Sequence, residues 1–198
     1  MTNSDFSSKE LEIIQNQDFL LTKKTVISTI QQLLGITQKK LERNLVQSQL
    51  SDAVISSFSP MKISRGENYR DLPYLVLDYP ATFSKEDIFA FRTMFWWGNF
   101  FSCTLHLQGK PLEQYRFEFL EKIDWLVKNE YFVCIGETPW EYHYSSDNYK
   151  LLSRNDIDAI KKCRFLKLSK KIELDKWEVL PEFSTSCLSH FLKILTTK

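Results

Sequence analysis

Residues 93–109 read TMFWWGNFFSCTLHLQG, and the half that follows the glycine decides the fold. From Phe100 the side chains alternate in size and polarity: Phe101, Cys103, Leu105 and Leu107 fall on one side, and Phe100, Ser102, Thr104 and His106 on the other. A period of two is the signature of a strand with two different faces. Gly98 and Asn99 have the turn chemistry to join it to an equally apolar run before it, so 90–107 is expected to form a β-hairpin. Trp96 and Trp97 are adjacent and must then face opposite sides of the sheet. One indole belongs to the core, and the other covers a second surface, packed under a helix or held open for a ligand or partner.

Upstream of the hairpin, RGENYRDLPYLVLDYP is a turn-rich lead into an apolar strand, Tyr74 to Leu77, stopped by Pro80. Ser84 with Asp87, and Phe83 with Ile88, have the spacing of a capping box and its staple, which predicts a short helical turn. Nearer the N-terminus the period lengthens. Ser7 and Glu10 cap a first short helix, and Val26, Ile27, Ile30, Leu33 and Leu34 form one helical stripe. Gly35 is placed to end that helix in the left-handed conformation, with Thr37 capping a third helix through Leu41, Leu45, Val46 and Leu50. Residues 23–54 therefore read as an antiparallel helical hairpin.

Downstream, Pro111 opens a helix carrying Leu112, Tyr115, Phe119, Ile123, Leu126 and Val127 at helical spacing. Tyr131 to Ile135 is a short strand, and Trp140, Tyr142 and Tyr144 alternate as its expected partner. Ser153 and Asp156 cap a short helix to Lys162, Arg164 to Leu174 is extended, and Cys187, Leu188, Phe191 and Leu195 line a last helix. The order predicts an α+β fold: a mainly antiparallel sheet covered by helices, with an N-terminal helical hairpin. One domain is expected over 1–198, its helical segment 1–56 packed on a sheet-containing core, 57–198.

A chain of 198 residues can bury a core without metal or disulfide support, and 28 aromatic residues (15 Phe, 8 Tyr, 5 Trp) predict an aromatic-rich one. The opening MTNSDFSSKE lacks a basic-then-apolar pattern, so no export signal is expected. The longest uncharged run, Thr93 to Gly109, is too short and too polar for a membrane span. Four dispersed cysteines read as reduced thiols, and the protein is expected to be cytoplasmic. Cys103 and His106, and Cys187 and His190, share a C-x-x-H spacing, but the first pair would face opposite sides of a strand. Neither pair has the further ligands that structural zinc needs, and no metal or cofactor is expected.

The net charge of +1 hides an asymmetry: residues 111–160 carry 5 basic and 10 acidic side chains, whereas residues 161–198 carry 9 and 4. KKCRFLKLSKK, Lys161 to Lys171, combines basic groups with an aromatic, the chemistry of a single-strand nucleic-acid surface. A solvated edge strand, its lysines preventing edge-to-edge pairing and offset by the neighbouring acids, is the stronger expectation, and nucleic acid is not expected as a partner.

Known catalytic motifs are missing, and five glycines leave little for phosphate-cradling loops. Asp78, Arg92 and His106 are the polar groups placed at apolar strands where they could hold an anion or move a proton. The leading expectation is a non-enzymatic module that binds a small molecule or a protein, a homo-oligomer included, through Arg92, Trp96, Trp97 and Asn99. The alternative is a small enzyme using Asp78, Arg92 and His106. A deep pocket lined by those three would favour the enzyme.

Overall fold

The computed structural model describes residues 5–48, 50 and 52–196. Among these, the strand-forming runs assemble one seven-stranded sheet in which every pairing is antiparallel. β1 (Lys62–Tyr69), β2 (Leu72–Phe83), β3 (Ile88–Trp96) and β4 (Phe100–Gln108) form a meander. β7 (Phe165–Glu173) pairs with β4, and β5 (Phe132–Cys134) and β6 (Tyr149–Leu151) follow, for the order β1-β2-β3-β4-β7-β5-β6. The expected hairpin is present, with Phe95 opposite Phe101, Thr93 opposite Cys103 and Phe91 opposite Leu105.

Helices cover one face. α2 (Gln17–Val46) and α7 (Leu180–Leu195) lie against each other, and α2 also packs on β2. Leu34, Leu41 and Leu45 of α2 and Leu188 and Phe191 of α7 join Leu77, Phe91, Cys103, Leu105 and Leu107 in a continuous core. α4 (Lys110–Glu121), α5 (Ile123–Lys128) and α6 (Ile157–Lys162) extend this layer, with Leu112, Phe119, Ile123, Leu126 and Ile160 buried in the same core. α1 (Ser8–Gln15) precedes α2 and buries no side chain, and α3 (Asp52–Ser57) precedes the sheet.

The helical hairpin gives way to one helix. α2 runs unbroken through Gly35, where an added Cβ would meet nothing within 4 Å. Thr37 is buried and its hydroxyl donates to the Leu33 carbonyl one turn back (2.9 Å), so it back-bonds within a helix instead of capping a new one. The long trough formed by α7 and the sheet decides the matter, because burying Ile27 through Leu45 along one face outweighs the modest preference of glycine for a helix end. Of the expected third helix, residues 49 and 51 lie outside the described residues.

Four smaller expectations are corrected. β2 continues past Pro80 across a cis Tyr79–Pro80 bond, with a register shift between Asp78 and Ala81 that absorbs the missing donor. Ser84 and Asp87 make a tight turn instead of a helical one: the Ser84 hydroxyl accepts the Asp87 amide (2.8 Å), and the Asp87 carboxylate accepts the Lys110 amide at the start of α4 (2.8 Å). Gly109, at φ 62°, permits that approach, since a Cβ there would lie 2.3 Å from the carboxylate. The helix after Pro111 is interrupted at Lys122. Trp140, Tyr142 and Tyr144 belong to a loop laid across the second face of the sheet, and β5 pairs with β6 and β7 instead.

The basic segment is also placed differently. β7 is an interior strand between β4 and β5, and Lys167 is 0 % exposed. Period and charge describe faces, while strand neighbours depend on chain paths from elsewhere.

Candidate functional site

The hairpin's alternation sends its aromatics to two surfaces. Trp97 lies just beyond β3, its amide donating to the Pro73 carbonyl (3.0 Å), and its ring meets Phe95 edge-on on the helix-covered side. Gly98, at φ 69°, and Asn99, whose side-chain amide donates to the Trp97 carbonyl (2.9 Å), shape the turn. Under this turn, α2 passes with Val26, Ile30 and Leu33 toward the sheet, and the 3-10 segment Leu174–Val179 brings Leu174 and Trp177 from the opposite side.

Between them lies an open cleft of about 460 Å³, lined by Phe95, Trp97, Phe101, Leu174, Trp177 and the α2 face from Thr25 to Leu33. None of the lining side chains carries a charge. Trp177 remains 47 % exposed at the rim. An uncharged, aromatic-walled concavity of this size suits a small apolar ligand. Of the four binding candidates read from the sequence, only Trp97 lines it.

Trp96 points to the other face and is 6 % exposed, within a cluster of Val76, Met94, Phe100 and Tyr142. Tyr69 at the end of β1 meets its ring edge-on and fastens the covering loop: its hydroxyl accepts the amides of Tyr142 (2.6 Å) and His143 (3.0 Å) and donates to the Glu141 carboxylate (2.9 Å).

Asp78, Arg92 and His106 share this loop-covered face. Asp78 and Arg92 are opposite residues of β2 and β3 joined by two parallel hydrogen bonds of 2.7 Å. Burial works against the Arg92 charge, but the Asp78 carboxylate and the Tyr142 ring (4.8 Å to its centroid) overcome it and raise its pKa. His106 lies opposite Lys167 across β4 and β7, enclosed by Trp140 and Phe165. Burial first, then the Lys167 and Arg92 charges, depress its pKa to about 3, so it is a neutral imidazole.

Lys167 was not among the sequence-derived candidates. Its ammonium donates to the Pro139 carbonyl (2.8 Å) and the Glu141 carbonyl, and sits 3.9 Å from the centroid of Tyr142. Burial brings its pKa down to about 7. No signal in KKCRFLKLSKK marks this lysine from its neighbours, because its acceptors come from a loop about thirty residues away. Trp177 was missed for the same reason.

Cys103 and His106 do fall on opposite faces, with Cys103 in the helix-covered core. Among the described residues, no cluster of three or more His, Cys, Asp or Glu could hold a metal ion, and no helix is long and apolar enough to cross a membrane. No protein-family model, curated protein or solved structure matches this chain. What the fold defines is an α+β protein with an antiparallel sheet, one face under helices and the other under an aromatic loop.

Proposed function

We propose that the protein is a non-enzymatic binding module whose ligand is a small apolar molecule held in the cleft beneath the β3–β4 turn. The observation that carries this reading is the uncharged aromatic wall built by Trp97, Phe95, Phe101 and Trp177 against α2. Such a wall recognises hydrocarbon or aromatic surface by exclusion of water and ring contact, and would reject an ion. Its half-open rim offers entry without movement of the fold.

The residues of the enzymatic alternative argue for structure. Both oxygens of Asp78 are taken by Arg92, and His106 is walled in by rings. Lys167 binds two loop carbonyls, which also removes a charge from the basic stretch and weakens a nucleic-acid reading.

A neutral fluorescent probe, N-phenylnaphthylamine, tests the cleft. Saturable binding that quenches tryptophan emission is expected, abolished by Thr29→Trp, which fills the cleft from an exposed position on α2. Binding that is non-saturable, or unchanged in Thr29→Trp, would overturn the proposal.

A further inference from the structure

The core between the sheet and α7 contains a thread of polar groups that serves neither the cleft nor the covering loop. Thr93 of β3 and Cys103 of β4 are opposite residues, both buried. The Thr93 hydroxyl lies 3.9 Å from the Cys103 Sγ and 2.6 Å from the Ser184 hydroxyl of α7. Ser184 and Cys187 are three residues apart and share one face of that helix. The spacing brings the buried Cys187 to Cys103, and their thiols are within hydrogen-bonding reach of each other. The other two thiols are engaged elsewhere: Cys134 donates to Asn148 Oδ1 (3.4 Å), and Cys163 to the Ile160 carbonyl (3.2 Å).

Tyr131 continues the thread outward. It contacts Cys187, and its hydroxyl meets Nδ1 of His190 (3.0 Å), a half-buried residue one turn beyond Cys187 on α7. Burial, then the Lys170 and Lys193 charges, lower the His190 pKa, so a neutral imidazole is there to accept the Tyr131 proton. Burial, then the neighbouring Cys187, raise the Cys103 pKa, so the pair rests as a dithiol.

We propose that Cys103 and Cys187 are an oxidation site, closed to a disulfide by a hydroperoxide. Cys187 gives its proton to the Tyr131 oxygen while Tyr131 passes its own to His190 Nδ1, and the thiolate sulfur attacks the peroxide. The O–O bond breaks, Cys187 becomes a sulfenic acid, and the departing hydroxide leaves as water with the proton held at His190. The Cys103 sulfur then attacks the Cys187 sulfur, the S–O bond breaks, and the oxygen leaves as a second water with the Cys103 proton. Two thiols have lost two electrons and two protons, and one hydrogen peroxide has become two waters. The bond ties β4 to α7 across the core and restricts the unfolded chain between them.

Hydrogen peroxide applied to the folded full chain, followed by denaturation, iodoacetamide and peptide mass spectrometry, tests this. The expected product is a peptide pair joined through Cys103 and Cys187 and released by dithiothreitol, with Cys134 and Cys163 alkylated. Its thermal midpoint should be raised by roughly 5–10 °C. Tyr131→Phe should slow closure about tenfold at neutral pH, the deficit shrinking as pH rises and hydroxide takes the proton. Four alkylated thiols, a link through Cys134 or Cys163, sulfinic acid without a link, or a lowered midpoint would overturn the proposal. Closure at the same rate in Tyr131→Phe at neutral pH would overturn the proton path.

Discussion

At the scale of single residues, Trp96 and Trp97 have opposite duties despite being neighbours. Trp96→Ala should cost about 3–5 kcal/mol, the range for a buried large aromatic, because it opens a hole among Val76, Met94, Phe100 and Tyr142. Trp97→Ala should cost less, since its ring is partly exposed at the turn, but should remove the probe binding proposed for the cleft. Chemical denaturation of the two variants beside a probe titration separates the two roles. His106 yields a pH signature. Its folded pKa, about 3, lies below the value near 6.5 of the unfolded chain, so the unfolded state takes up the proton first. Stability from this site is complete above pH 6.5 and lost as pH falls toward 3. His106→Phe should flatten that part of the stability profile, measured by urea midpoints across the same range; an unchanged slope would refute it.

Among elements, α2 shows tertiary packing overriding a local stop signal. Gly35 sits in mid-helix with free space where a Cβ would be, so it contributes only backbone entropy to the unfolded state. Gly35→Ala should therefore raise stability by about 0.5–1 kcal/mol. A thermal or denaturant shift in the opposite direction would mean that the helix does not run through. β7 teaches the complementary lesson: its extended conformation was legible, but its neighbours were not. An internal strand bearing Lys167 is tolerable because the loop over the sheet supplies two carbonyls and the Tyr142 face.

For the molecule as a whole, the helical segment and the sheet share one core through α2 and α7, whereas α1 shares none of it. A chain starting at Gln17 should keep the melting behaviour of the full chain. A 60–198 fragment, deprived of the α2 stripe over Leu77 and its neighbours, should not fold stably. Limited proteolysis that left an intact, cooperative 60–198 fragment would show instead that the sheet and its remaining helices are self-sufficient.

Local periodicity alone determined the hairpin of β3 and β4, the opposed tryptophans, the Ser7 and Ser153 capping boxes and the α+β class with its antiparallel sheet. Each depends on residues within a few positions of one another, where backbone geometry dictates which side chains share a face. Asp78 and Arg92 were legible as candidates too, because apolar strands isolate them. Tertiary structure decided the rest: that α2 ignores Gly35, that Trp140 to Tyr144 form a lining loop, that Lys167 is buried, and that Trp177 meets Trp97 across a cleft. These depend on contacts between distant segments, whose burial free energy outweighs local preference and leaves no mark in the stretch of sequence it overrides.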